Sequence, residues 1–391
     1  MQLTQKQQEG LEIALARYKQ KEPWTCISGY AGTGKSTLVK YIIAALGISP
    51  MEVAYVTFTG KAASVLREKG CPNAITAHKL LYYCKRLKNG RYVFNARTKL
   101  EYPFKLLVVD EVSMLPKKLW DLLLSHKIHV LALGDPYQLP PIDKSSDNMV
   151  LNNPHVFLDE IMRQAKDSEI IQLSMLIRNQ QPLEYLKGKE VQVLRKSEVQ
   201  NGMYLWADQI LVATNQTRKD LNTHIRQNLL NYGAEPVKGD KLICLRNNWD
   251  VFDINGQIPL INGAIGRVDE YYLEDAVYLP YLNKPITAMM TNLNFDEYNF
   301  FGLPIDYNYL QKNEKIFTPQ EEYRIHQNKG NMLSLPIEFD YGYAITCHKA
   351  QGSQWDKVMV VEEKFPFNKE EHSRWLYTAV TRAASRLILV R

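Results

Sequence analysis

A chain of 391 residues is too long for one small core and suits two to four domains. Hydrophobic residues at 45% and charged ones at 23% give an ordinary globular balance. No apolar run is long enough to cross a bilayer, the start (Met1 to Gln8) is polar rather than signal-like, and five scattered cysteines without a C-x-x-C pair argue against a zinc or disulfide framework. The net charge of +6 is mild; its distribution along the chain says more.

In chain order, Trp24 to Ser28 reads as a strand and Thr37 to Ile43 as an amphipathic helix. Between them, Gly29-Tyr30-Ala31-Gly32-Thr33-Gly34-Lys35-Ser36 spells G-x-x-x-x-G-K-[ST], a complete phosphate loop. Its glycines let backbone N–H groups converge on phosphate oxygens, and the helix N-terminus adds a favourable dipole. Gly29, Ala31, Gly32, Thr33, Gly34, Lys35, Ser36 and Thr37 therefore form the candidate triphosphate cradle. Lys35 is suited to the β- and γ-phosphates and Ser36 to a Mg²⁺ ion.

Glu52 to Thr57 reads as a strand and Lys61 to Lys69 as a helix. The rhythm then breaks between Leu81 and Phe104, where Lys88-Asn89-Gly90-Arg91 signals the turn of a β-hairpin. From Lys79 to Lys105 there are eight basic residues and one acid, interleaved with Tyr82, Tyr83, Tyr92 and Phe94. That is the footprint of a polyanion contact, and equally of a solvated hairpin kept soluble by its charge. Lys105 to Val109 is a buried strand ending in Asp110-Glu111, where ligands sit in open α/β sheets. Asp110 suits the metal shell, and Glu111 suits orienting and deprotonating an attacking water. Alone, such a pair also makes a turn or cap; downstream of a phosphate loop it becomes the second half of a nucleotide site. Lys117 to Ser125 is helical and Ile128 to Leu133 a strand, followed by Gly134-Asp135-Pro136-Tyr137-Gln138. Gln138 could sense a γ-phosphate, or the segment could be an ordinary turn; sequence physics leaves both open.

A second alternating set comprises Ile210 to Thr214, Gln216 to Leu230, Lys357 to Val361, Lys369 to Ala383 and Arg386 to Val390. It is interrupted from about Asp250 to Pro336 by a Pro-, Tyr- and β-branched-rich stretch that reads as a small β domain. Within it, Gly266 to Leu310 holds seven acids and two basic residues. The expected fold class is α/β, with parallel sheets covered on both faces.

The ordered set Gly29–Ser36, Asp110-Glu111-Val112-Ser113-Met114, Gly134-Asp135-Pro136-Tyr137-Gln138-Leu139-Pro140 and Tyr377-Thr378-Ala379-Val380-Thr381-Arg382 resembles the motif series of superfamily 1 helicases. Its finer spelling is similar to the 1B division, the RecD and phage Dda group. Ile345-Thr346-Cys347-His348-Lys349-Ala350-Gln351-Gly352-Ser353 resembles that group's fifth motif, and Val56-Thr57-Phe58-Thr59-Gly60-Lys61-Ala62-Ala63 its motif Ia. The resemblance runs from Leu3 to the C-terminus and is weakest in both inserts.

It implies two tandem RecA-like P-loop domains: residues 1–150 with an inserted hairpin pin at 82–103, and residues 151–391 with an SH3-like β insert at about 250–336. It implies ATP and Mg²⁺ as cofactors, single-stranded DNA and single/double-strand junctions as partners, 5′→3′ translocation, a monomer and a cytoplasmic location. Replication or recombination proteins are further expected partners. Residue by residue, Gln7 falls where the adenine-reading glutamine lies, with Gln5 and Gln8 close by, and Gly352 joins the nucleotide-binding set. Arg163 and Arg382 stand where two arginines clamp the triphosphate, a role that suits the always-charged guanidinium fork. Thr59, Thr76, His78, Asn215, Thr346, His348 and Lys349 stand at DNA-facing positions, suited to phosphate and sugar contacts that fix position without reading sequence. Phe94 or Tyr92 on the pin would stack on the last base pair, or form hairpin core. Two other readings remain at this stage: a nucleotide-switched binding module, motivated by the acidic tyrosine-rich insert, and a subunit of a recombination nuclease whose cleavage a partner supplies. The lack of a long N-terminal extension points to a compact, stand-alone motor.

Overall fold

Apolar runs with no polar alternation, such as Leu106-Leu107-Val108-Val109, are stable only where both faces of a strand are covered, and here all four residues are buried. The computed structural model describes residues 3–86, 92–140, 150–162, 166–255, 259–278, 285–295, 299–312, 317–318, 320–321, 336–364 and 368–391. Of the residues anticipated from sequence, Arg163 and the turn 88–91 lie outside these ranges.

The first part of the chain forms strands β1 (Trp24–Gly29), β2 (Val53–Thr57), β3 (Ala74–Thr76), β4 (Tyr82–Arg86), β5 (Tyr92–Ala96), β6 (Leu106–Val109), β7 (His129–Gly134) and β8 (Val156–Leu158). Six of them make one sheet in the order β3-β2-β6-β7-β1-β8, every pairing parallel. The sheet runs past residue 150 by taking in β8 beside the phosphate-loop strand. The helix Lys35–Leu46 buries Leu38, Val39, Ile42 and Ile43 against Ile27, Val108, Leu131 and Leu133 of the sheet. At roughly 1.5–3 kcal/mol for each such side chain, this packing fixes the loop that precedes the helix.

Strands β9 (Leu186–Lys187), β10 (Val191–Leu194), β11 (Gln209–Val212), β19 (Ala344–Thr346), β20 (Trp355–Val361) and β21 (Ala383–Val390) form a second sheet in the order β19-β11-β20-β21-β10-β9. The pairs β11–β20, β20–β21 and β10–β21 are parallel, and the β9–β10 edge pair is antiparallel. The two six-stranded sheets are tandem RecA-like layers, as the strand–helix alternation implies. The helix Lys369–Val380 stops three residues before the predicted end at Ala383. Thr381 turns its hydroxyl back onto the carbonyls of Tyr377 (2.9 Å) and Thr378 (3.1 Å), and the chain enters β21 at once. Arg382 thus occupies a tight helix-to-strand junction.

The chain divides into two compact units. One comprises Met1–Leu81, Arg97–Ala213 and Thr346–Arg391; the other comprises Tyr82–Ala96 and Thr214–Ile345. The antiparallel hairpin β4–β5 therefore groups with the second unit rather than with the sheet that interrupts itself to form it. That unit also contains a five-stranded sheet, in which β12 (Lys241–Cys244), β15 (Ile265–Tyr278), β16 (Pro285–Asn294), β17 (Asn299–Asp306) and β18 (Phe339–Tyr341) lie in the order β17-β16-β15-β12-β18. A short pair, β13 (Asn248–Phe252) and β14 (Pro259–Leu260), completes it. Leu242, Met289, Leu293, Phe300 and Phe339 fill its core. A buried Arg226–Asp240 ion pair is satisfied by further bonds from Tyr343 Oη and the Val237 amide.

Candidate nucleotide site

The phosphate loop joins β1 to the helix Lys35–Leu46, and its shape depends on two left-handed glycines, Gly32 (φ 77°) and Gly34 (φ 79°). A Cβ on Gly34 would lie 2.5 Å from Gln7 Nε2, so any side chain there would displace the Gln7 amide and strain a left-handed backbone. Gln7 is 1% exposed and is held by its own helix start: Thr4 N–H donates to Gln7 Oε1 (3.1 Å), and Thr4 Oγ1 accepts from Gln7 N–H (3.3 Å). Its amide then donates to Thr33 O (3.1 Å) and meets Met162 Sδ. The capping box therefore anchors Gln7 against the loop, while Gln5 and Gln8 pair with Glu9 and Glu12 on exposed surface.

The loop borders a cavity of about 500 Å³ lined by Lys35, Ser36, Asp110, Glu111, Gln138 and Arg382, among others. Lys35 Nζ donates to the loop carbonyls of Gly29 (2.7 Å) and Tyr30 (2.9 Å). Burial pulls the Lys35 ammonium down from its ordinary value against the upward pull of Asp135, Asp110 and Glu111. Burial and the adjacent Glu111 push the Asp110 carboxyl up, while the Glu111 amide, donating to Asp110 Oδ1 (3.0 Å), and Lys35 pull it back. Both side chains keep some surface toward the cavity, so the loss of solvent is partial. Packed acids and a desolvated lysine in a cleft make this cavity the candidate functional site. Ser36 and Asp110 present hard oxygen donors suited to Mg²⁺ shared with a polyphosphate. Among the described residues no group of three or more His, Cys, Asp or Glu could hold a metal by itself, so such an ion would depend on its ligand's oxygens.

Glu111 adopts φ 48°, ψ 50°, a left-handed conformation that side-chain-bearing residues rarely take. Its carboxylate meets Arg382, which is 4% exposed: Nη1 donates to Glu111 Oε1 (3.1 Å). The guanidinium is tethered to its own helix by a bond from Nε to Thr378 O (3.1 Å). Gly352 (φ 77°) closes the same cavity; a Cβ there would lie 3.0 Å from Ala62 Cβ and 3.1 Å from Thr59 Oγ1.

Thr59, anticipated as a DNA contact, caps the helix Gly60–Glu68 by accepting from Ala62 N–H (3.2 Å), and it also lines the nucleotide cavity. Thr76 Oγ1 accepts from Lys79 N–H (3.3 Å). Half-buried His78 packs near Phe58 at a centroid distance of 6.0 Å. Burial pushes the imidazoles of His78 and His348 below their ordinary values, so their polar chemistry at neutral pH is hydrogen bonding rather than charge. Thr346, His348 and exposed Lys349 sit on or just before the short helix Cys347–Ala350. In the second unit, exposed Asn215 begins the helix Asn215–His224, and exposed Phe94 packs edge-on against Tyr82 at 6.1 Å within the hairpin.

Residues 2–197 match the family model described as AAA domain. The chain belongs to the AAA-domain family. Residues 341–390 match a UvrD-like helicase C-terminal domain. The protein named ATP-dependent RecD2 DNA helicase of Deinococcus radiodurans is 28% identical over 92% of this chain and 46% of its own length. The ATP-dependent DNA helicase dda of Enterobacteria phage T4 is 23% identical, over 97% of both chains. This AAA-domain chain thus spans less than half of RecD2 and nearly all of dda. The crystal structure of a Pif1 helicase from Bacteroides in complex with ADP-AlF3 and ssDNA has the same fold, with a TM-score of 0.52 and 16% identity over 100% of this chain and 92% of that one. The chain is thus similar in sequence to helicases named RecD2 and dda, the group its motif series resembles.

Sequence reasoning passed over several residues at the AAA-domain cavity. Tyr377 Oη accepts from Ala31 N–H (2.9 Å) and donates to Asp135 Oδ2 (2.7 Å). Thr378 Oγ1 accepts from Leu139 N–H (2.9 Å), and Gln351 Nε2 donates to Leu139 O (2.9 Å). Each stands inside a quoted motif, yet a Tyr or Thr on a buried helix reads as packing until its partners are known.

Proposed function

We propose that this chain is an ATP-driven DNA helicase that moves 5′→3′ along single-stranded DNA, hydrolysing ATP in the cavity between its two RecA-like sheets. The observation that carries this reading is the meeting of Arg382, at the start of a strand of the second sheet, with Glu111 of the first, in a cavity that the phosphate loop also lines. An arginine delivered from across the cavity makes turnover sensitive to the approach of the two sheets, as a motor requires.

In this reading the loop amides and Lys35 bind the β- and γ-phosphates, and Gln7 holds the adenine edge. Ser36 and Asp110 would hold Mg²⁺, which when bound neutralises charge on the phosphates. Glu111 takes a proton from the attacking water, Gln138 bonds to the γ-phosphate or that water, and Arg382 turns from Glu111 to the developing charge on the γ-phosphoryl oxygens. Arg163 is proposed as a second clamp. Thr76, His78, Thr346, His348, Lys349, Asn215 and Thr59 are proposed to touch the DNA strand, and Phe94 to stack at the junction. Replication or recombination proteins as partners, a monomeric state and a cytoplasmic location are part of the same proposal. No helix among the described residues is long and apolar enough to cross a membrane.

The test is ATP-driven unwinding of matched partial duplexes carrying a 5′ or a 3′ single-stranded tail. Opening of the 5′-tailed substrate alone is the expected result. Opening of the 3′-tailed one alone would reverse the polarity, and opening of neither despite active ATPase would remove the motor.

A further inference from the structure

Tyr377 is 1% exposed on the helix that ends one residue before Thr381 and two before Arg382. A buried phenol needs a hydrogen-bond partner, and any core carbonyl would serve. Here the hydroxyl instead links two groups of the first sheet: it accepts the N–H of Ala31, inside the phosphate loop, and donates to Asp135, at the end of β7. The other oxygen of Asp135 accepts from Tyr137 N–H (2.9 Å), and the Tyr137 ring stands perpendicular to that of Tyr377 at 5.3 Å. Burial, and then the Asp135 charge, hold the phenol protonated, so it keeps donating. One turn of helix separates this anchor from Thr381, and Arg382 follows directly. Arg382 must leave Glu111 if that carboxylate is to hold a water, and a side chain that swings needs a fixed base. Thr378, which holds Arg382 Nε through its carbonyl and accepts the Leu139 amide at its hydroxyl, belongs to the same anchored turn.

We propose that Tyr377 is a positioning residue that ties the end of the C-terminal helix to the phosphate-loop backbone, so that Arg382 is aimed at the phosphates only while the loop holds its binding conformation. This inference rests on the reading of the cavity as an ATP hydrolysis site. The tyrosine touches no reacting atom; it acts through Arg382.

The experiment measures DNA-stimulated ATP turnover and binding of a fluorescent ATP analogue for the full chain, Tyr377→Phe, Arg382→Ala and the double variant. Phe keeps the ring and removes the hydroxyl. Tyr377→Phe is expected to lower kcat on the order of 10- to 100-fold, the loss typical of a misplaced catalytic group. Its KM and its affinity for the analogue should stay within about threefold, which shows a folded, binding-competent site. The double variant should turn over no more slowly than Arg382→Ala alone. Multiplied losses in the double variant, an unchanged kcat in Tyr377→Phe, or binding lost in step with kcat would each overturn the positioning role. Full turnover by Arg382→Ala would instead overturn the hydrolysis-site reading on which the inference stands.

Discussion

The two walls of the nucleotide cavity are built in opposite ways. On one side, Gly29 to Thr37 is a single contiguous stretch whose binding groups are backbone amides and one lysine, shaped by positive-φ glycines and a packed helix. On the other, Gln351, Tyr377 and Arg382 arrive from more than 200 residues away and act through individual side chains. A wall made of backbone binds any triphosphate that fits. A wall made of side chains on a separate sheet can be present or withdrawn, and so can carry timing. In the proposed mechanism, binding and timing thereby fall to different parts of the chain.

Substitutions that separate the walls test this division. The largest effect is expected for Lys35→Ala, which should remove nucleotide binding and turnover together, a fall of at least about 10⁴-fold in ATPase rate. Retained turnover would mean that the contiguous wall is not the binding wall. Arg382→Ala and Glu111→Gln should each lower kcat on the order of 10³-fold while analogue affinity changes little. A parallel loss of affinity would erase the distinction between the walls. A smaller effect concerns backbone strain. Glu111→Gly and Glu111→Gln both lack the carboxylate, but only glycine relieves the left-handed φ of 48°. Denaturant titration should find the Gly variant more stable than the Gln variant by about 1 kcal/mol. Equal stabilities would mean that the strain is absent.

A further effect on stability alone is expected behind the side-chain wall. Burial raises the Glu362 carboxyl, but bonds from His372 Nε2 (2.8 Å) and Arg391 Nε (2.5 Å) outweigh it and leave the group below its ordinary value of 4.5. A lowered folded value gives stability that is present above the ordinary carboxylate range and is lost as pH falls through the folded value. Glu362→Gln should therefore cost about 1–3 kcal/mol at pH 7 and flatten the acid limb of stability against pH. An unchanged acid limb would show that this carboxylate does not hold the second sheet together.

Much of the fold was legible because its signals are local. The helix Lys117–Ser125 falls where its spacing predicts, and Leu106–Val109 is the buried strand its composition implies. Short or edge elements were not: β3 and β8 have three residues each, too few for a period to register, and β8 joins the first sheet from beyond the stretch assigned to it. Lys369–Val380 was predicted too long because Ala379 to Ala383 is helix-compatible, and it ends where the chain pairs with β20: Arg382 O accepts from Trp355 N–H (3.0 Å) and Ala383 stands opposite Trp355.

The amino-acid sequence by itself determined the phosphate loop and the paired acids after β6, because each depends on residue type at short spacing; Arg382 was singled out only by the motif series the chain resembles. Tertiary structure decided which groups meet. It set Gln7 rather than Gln5 or Gln8 against the loop, moved Thr59 into the nucleotide cavity, paired Arg382 with Glu111, and gave the Ala31 amide to Tyr377. Hydrogen bonds reach about 3 Å, and separations of hundreds of residues are closed to that distance only when both sheets have packed.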